Sequence, residues 1–151
     1  MIRSALFLLP LLAIGCATPT SGDYLFEETS TTTDCPDSGE DTGGDETENE
    51  PVTITVSEDK ATVTISDIDC PLDGTSFECI FADEETDYNE SGMDAIVGIY
   101  SDLVGTWVSS SKINATSFTE VTCTGTACAD LEAMGTTFCS ATVEMSGTLE
   151  K

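Results

Sequence analysis

The sequence contains no histidine, and only four of its 151 residues are lysine or arginine, against 29 aspartates and glutamates. The formal net charge of −25 argues against nucleic-acid binding, because such binding depends on Lys and Arg contacts with phosphates. The lack of histidine excludes Ser-His and Cys-His nucleophiles and the usual zinc sites. Carboxylates, hydroxyls and thiols are therefore the side chains that remain for chemistry.

A hydrophobic run long enough to span a membrane as a helix is also missing at the start of the chain. The apolar run at residues 5–14 follows Arg3 and is shorter than the roughly 20 residues that a spanning helix needs. A short apolar run behind a basic residue is typical of a signal peptide. The sequence therefore predicts an exported protein.

The apolar run ends in Ala13-Ile14-Gly15-Cys16, an aliphatic neighbourhood followed by a small residue and a cysteine. This stretch resembles the lipobox of bacterial lipoproteins. The resemblance implies that residues 1–15 are cleaved off and that Cys16 becomes an N-terminus acylated with diacylglycerol and a further chain such as palmitate. No acidic residue follows the cysteine directly, which by the same resemblance implies the outer membrane. An ordinary secretory signal, cut near Ala17, is the alternative.

Residues 16–51 have the composition of a linker. They contain no basic residue, many Ser, Thr and Gly, and few apolar side chains apart from Tyr24, Leu25 and Phe26. Such a segment buries too little apolar area to offset the entropy lost when its backbone is ordered. We therefore predict a disordered acidic tether that holds a β domain, residues 52–151, away from the lipid surface.

The second part of the chain alternates apolar and Ser/Thr residues with period 2, which indicates antiparallel strands with one buried face. Seven strands in this length favour a small all-β sandwich or a partly closed barrel. Residues 127–134 are rich in helix formers and precede Gly135, so one short helix is expected there. The predicted strands are residues 52–56, 61–66, 76–81, 94–100, 104–109, 113–123 and 137–149.

Six cysteines follow Cys16, and an even number in an exported chain indicates disulfides. Cys70 with Cys79 is the pair that adjacent strand ends favour, and Cys128 with Cys139 would join the helix to the last strand. Two cysteines then remain, either as a bond between tether and domain or as free thiols. The six candidates are Cys35, Cys70, Cys79, Cys123, Cys128 and Cys139.

One acidic stretch resembles the first half of an EF-hand calcium loop. The resemblance implies Asp87, Asn89 and Ser91 as oxygen ligands and Gly92 as the sharp turn. The twelfth position of an EF-hand loop is a bidentate glutamate, and here it is Gly98. Only the first half of the pattern is therefore present.

Trp107 is the single tryptophan and lies two residues after Gly105 in a strand pattern. The Gly-x-Trp spacing is similar to the signature that opens lipocalin barrels, but too little chain follows Trp107 for that family. The pattern predicts that Trp107 packs in the core, with a role as a sugar-stacking platform as the alternative.

Taken as a whole, the sequence predicts a non-enzymatic protein of the bacterial cell envelope, attached to the membrane through its lipid anchor. The β domain would be a binding or structural module for an envelope protein or glycan, without catalytic residues and with calcium as the one cofactor considered. Two alternatives remain open. One is a carboxylate-based hydrolase acting on envelope polysaccharide, and the other is a calcium-dependent adhesin.

Overall fold

A computed structural model of the chain describes residues 17–36 and 50–150. Eight antiparallel strands form a closed barrel in which each strand pairs with its neighbours in chain order and β8 pairs with β1. The all-β prediction with one short helix is confirmed. The elements are β1 Gly22–Thr33, β2 Val52–Val56, β3 Thr62–Ile65, β4 Ile68–Asp73, β5 Ser76–Asp87, β6 Ile96–Ser109, β7 Lys112–Thr124, α1 Cys128–Ala133 and β8 Cys139–Leu149, with a single 3-10 turn at Asn89–Ser91.

Strand β1 corrects the prediction that residues 16–51 form a disordered tether. Gly22–Thr33 pairs with β8 along nearly its whole length and with β2 at its start. Tyr24 is fully buried in the core, and Phe26 packs against it. A strand that gains its partners from the far end of the chain does not need many apolar residues of its own. Residues 37–49 of the predicted tether, like Cys16, lie outside the described residues.

The remaining strands follow the predicted alternation with three differences. Two predicted strands, residues 94–100 and 104–109, are one continuous strand, β6. Strand β5 extends beyond its predicted end to Asp87. Strand β4 was not predicted, because it follows a two-residue turn at Ser66 and Asp67, both with positive φ, where neither residue is the usual glycine or asparagine.

The core of the barrel is formed by inward-facing residues of all eight strands. The ends of the long strands that lie near α1 do not contribute to it. Trp107 is 1% exposed, and its ring lies 5.3 Å from that of Phe77. Gly105 is required beside this pair, because a Cβ there would lie 2.2 Å from a ring carbon of Phe77. The prediction that Trp107 packs in the core is confirmed. The buried members of the cluster are Tyr24, Ile54, Val63, Ile65, Cys70, Leu72, Phe77, Cys79, Trp107, Ile113 and Ala115.

A second, smaller cluster closes the other end of the long strands. Leu131 of α1 packs with Ala95, which precedes β6, and with Val97 of β6, together with half-buried neighbours such as Phe138. The helix is only six residues long, so it depends on this contact rather than on its own hydrogen bonds. Within residues 17–36 and 50–150, no helix has the length and hydrophobicity to cross a membrane.

All six cysteines after Cys16 form disulfides. The predicted Cys70–Cys79 bond is confirmed: the two Cα atoms lie 4.9 Å apart, each two residues from the paired Leu72 and Phe77 of β4 and β5. The predicted Cys128–Cys139 bond is wrong. Cys128 bonds Cys123 across the turn before α1, and Cys139 bonds Cys35 at the end of β1. The error follows from the missed strand, because β1 brings Cys35 next to the first residue of β8.

Candidate functional site

The outward-facing side of β5, β6 and β7 has a distinct composition, and we call it the acidic face. Register places its residues in rows across the three strands, so that side chains in one row are neighbours. The rows contain five carboxylates, which alternate with exposed apolar side chains, of which Ile80 is 49% and Val104 43% exposed. The rows are Glu78-Val104-Thr116, Ile80-Asp102-Phe118, Asp83-Tyr100-Glu120 and Glu85-Gly98-Thr122.

A β-bulge in β5 creates this arrangement. Glu78 and Asp83 are separated by five positions, an odd number, and would lie on opposite faces of a regular strand. The register shifts between Ile80 and Ala82, so the extra residue, Phe81, restores Asp83 to the outer face. The bulge therefore gathers acids from both halves of β5 on one surface.

Tyr100 is the aromatic centre of the acidic face. Its ring lies 6.2 Å from that of Phe118, and its hydroxyl donates a 2.9 Å hydrogen bond to Oδ2 of Asp102. That hydrogen bond raises the pKa of Tyr100, and partial desolvation together with the charges of Asp102, Glu78 and Asp83 raises it further. The neighbouring charges of Asp102, Glu78 and Asp83 make the surroundings of the Tyr100 hydroxyl negative, which favours a cation there.

A shallow depression of about 130 Å³ lies beside Tyr100, in the rows that contain Asp83 and Glu85. Gly98 lies in its lining, and because glycine has no side chain the space in front of it stays open. An ideal Cβ at this position would also come within 2.8 Å of Oγ1 of Thr122. Carboxylates from β5 and β7, the two strands on either side of β6, surround the space. The side chains that matter for its chemistry are those of Asp83, Glu85, Tyr100, Glu120 and Thr122.

The spacing of these acids suits an organic cation better than a bare metal ion. Among residues 17–36 and 50–150, the group of three metal-type side chains that come close enough to share an ion is Asp34, Cys35 and Cys139. The two cysteines of that group are bonded to each other, so their thiolates are not available as ligands. Asp34 instead accepts hydrogen bonds from the backbone and hydroxyl of Ser140, which lower the pKa of its carboxyl group.

Of the residues predicted as calcium ligands, Asp87 and Asn89 bond to each other, and Ser91 bonds to the backbone. Asp87 ends β5, and its Oδ1 accepts hydrogen bonds from both the backbone N–H and the side-chain amide of Asn89, at 2.8 and 2.6 Å. The Ser91 hydroxyl donates to the carbonyl of Tyr88 at 2.7 Å, and Gly92 takes the left-handed conformation expected of the turn. This is a self-contained turn that joins β5 to β6.

Comparisons with known proteins give no relative for this chain: no protein-family model, no curated protein and no solved structure matches it. The functional argument therefore rests on the chain itself. The acidic face could not be predicted from the sequence, because the bulge at Phe81 interrupts the alternation of inward-facing and outward-facing residues in β5. The one available signal was the concentration of acids between residues 83 and 87.

Proposed function

We propose that this chain is a lipid-anchored, non-enzymatic protein of the bacterial cell envelope: a β barrel that serves as a binding module, with the acidic face as its binding surface. One observation carries the proposal. Of seven cysteines, six form disulfides within the barrel, and the seventh is Cys16 of the lipobox-like stretch.

Disulfides support an oxidising compartment, because cytosolic thiols are kept reduced. The bond between Cys35 and Cys139 joins the end of β1 to the start of β8. An oxidising environment would therefore stabilise the closed form of the barrel. A lipid anchor on Cys16 would place the barrel a few residues from the membrane, since β1 begins at Gly22. The long tether expected from composition is therefore not part of the proposal.

The acidic face supports a binding role. It combines exposed apolar side chains with carboxylates, which is the composition of a surface that excludes water at its centre and selects partners by charge. A hydrolase would need one carboxyl group with a raised pKa to act as the acid. In the described part of the chain, the pKa values of the Asp34, Asp59 and Asp94 carboxyl groups are lowered because hydroxyl and backbone N–H groups donate hydrogen bonds to them, which is the opposite of what such an acid needs.

The anchor is tested by expressing the full chain in a bacterium with an alkyne-labelled fatty acid. We expect the chain to incorporate the label and to sediment with membranes, and the Cys16→Ser variant to lose the label. Ala17→Ser is the matched control, because it changes the neighbouring residue and leaves the sulfur. Equal labelling of Cys16→Ser and the parent chain would refute the proposed anchor.

A further inference from the structure

We propose that the acidic face binds an extended, Lys- or Arg-bearing segment of a partner protein, which adds as a strand to the free edge of β5. This inference names the partner class for the proposed binding module and rests on that function. Its three components are an unpaired strand edge, a depression that fits a cationic side chain, and a charge that selects the partner.

The first component is the edge of β5. Strand β4 pairs with β5 only at Leu72 with Phe77 and Asp73 with Ser76. From Ile80 to Asp87, β5 pairs with β6 on one side and, within the part of the chain that the structure describes, with no strand on the other. The backbone N–H and C=O groups on that side are available to an incoming strand, as in other cases of strand addition to a sheet edge.

The second component is the depression at Gly98. An added strand would lie about 4.8 Å from β5, and its outward side chains would be neighbours of Asp83 and Glu85. A long Lys or Arg side chain reaches from there across β5 towards Gly98. Its charged group then meets the carboxylate of Glu120 and the ring of Tyr100, whose face attracts cations.

The third component is selection by charge. Neither β5 nor β6 contains a lysine or arginine, so the acids of the face have no cation on these two strands. The same acids repel a second copy of this chain, which protects the free edge from pairing with itself. A basic extended segment is the partner that can form both backbone hydrogen bonds with the free edge and ion pairs with the acids of the face. Exposed Ile80 and Phe81 add apolar contact at the start of the edge.

The test uses the full chain, extracted from membranes in detergent, and a fluorescent peptide of alternating Lys and Thr as the probe. We expect Asp83→Asn, Glu85→Gln and Glu120→Gln together to weaken binding by about tenfold or more, from three lost ion pairs. The control carries Glu58→Gln, Glu132→Gln and Glu150→Gln, exposed acids away from the face, and changes the net charge equally. Equal losses in the two triple variants would show non-specific attraction and overturn the proposal.

Two further arms separate the components. Gly98→Val fills the depression without changing charge and should weaken binding, with a melting curve to confirm that the barrel is intact. A probe with alternate backbone nitrogens methylated keeps its charges but cannot pair with an edge, so it should bind more weakly than the parent peptide. Unchanged binding in either arm contradicts the strand-addition geometry. Because Cys16→Ser leaves the face untouched, failure of the anchor and failure of this inference are read separately.

Discussion

At the scale of single residues, the central contact of the barrel joins Trp107 to Tyr24. The indole Nε1 donates a 3.0 Å hydrogen bond to the Tyr24 hydroxyl, which in turn donates to the carbonyl of Thr20 at 2.9 Å. Both rings are buried, so neither polar group can bond to water instead. The pair links β6, β1 and the segment that leads into β1.

Tyr24→Phe tests this contact. The substitution keeps the ring but leaves the buried Trp107 N–H without its partner, which should lower the free energy of unfolding by about 1 to 3 kcal/mol. Urea unfolding followed by the emission of the single tryptophan measures the change. Tyr100→Phe is the control: its half-buried hydroxyl donates to Asp102, and because that carboxylate is not fully buried and can bond to water instead, stability should change little. Equal stability of Tyr24→Phe and the parent chain would show that the hydrogen bond is not formed.

A second residue-scale prediction concerns Asp94. Its Oδ2 accepts hydrogen bonds from the hydroxyl and backbone N–H of Thr126, at 2.7 and 3.1 Å, and both lower the pKa of the carboxyl group. A pKa lowered in the folded state stabilises the protein above the ordinary value of 3.8, and this stability is lost as the pH falls through the lowered pKa.

We therefore expect Asp94→Asn to melt at a lower temperature than the parent chain at pH 7, with the difference shrinking as the pH falls below about 3.8. Glu132→Gln is the charge-matched control, since it removes an exposed acid that makes no such bond. A difference that persists unchanged in acid would mean that the Asp94 charge is not what stabilises the contact.

At the scale of elements, the ends of the chain close the barrel. Strands β1 and β8 pair from Tyr24 with Leu149 to Thr33 with Ala141, and the Cys35–Cys139 bond fastens this seam. The bond spans 104 residues, whereas Cys123–Cys128 spans only five. By the entropy of loop closure, the longer loop should contribute more stability.

Double replacement by serine compares the two bonds. We expect loss of Cys35–Cys139 to cost about 5 kcal/mol and loss of Cys123–Cys128 about 2 kcal/mol, the values that chain entropy gives for loops of these lengths. Chemical denaturation of the two variants beside the parent chain measures both costs. A larger cost for loss of Cys123–Cys128 would contradict this expectation. It would mean that the short bond stabilises the protein by holding α1 in its packed position rather than by restricting the unfolded state.

The elements also show which parts of the fold the sequence could predict. The β2–β3 hairpin and α1 were correctly predicted, because alternation and helix formers are local signals. Strand β1 was missed because its partner, β8, lies at the far end of the chain and supplies most of its stabilising contacts. The acidic face was missed for a related reason. The bulge at Phe81 changes which side chains share a surface, and no local sequence pattern indicates the bulge.

At the scale of the whole molecule, the charge of −25 works against compactness. The described residues contain only Lys60 and Lys112 as cations: Lys60 lies in the turn between β2 and β3, and Lys112 is the first residue of β7. Like charges on a closed barrel repel one another, which lowers stability most when ionic strength is low. The disulfides and the buried core offset this repulsion.

Salt should therefore raise the melting temperature, and calcium should do no more than magnesium at equal ionic strength. This follows because Asp87, the first predicted calcium ligand, already accepts two hydrogen bonds from Asn89. Thermal melts in both cations, with Asp87→Ala beside the parent chain, make the comparison. A calcium-specific rise that Asp87→Ala abolishes would favour the calcium-dependent adhesin instead.

The most direct test of the whole account is the intact mass of the chain extracted from bacterial membranes without reduction. We predict a chain that begins at Cys16, carries acyl groups and lacks the six hydrogens of three disulfides, since the bonds join Cys35, Cys70, Cys79, Cys123, Cys128 and Cys139. A chain that retains residues 1–15, lacks acyl groups or holds six free thiols would contradict the account of an exported, lipid-anchored barrel.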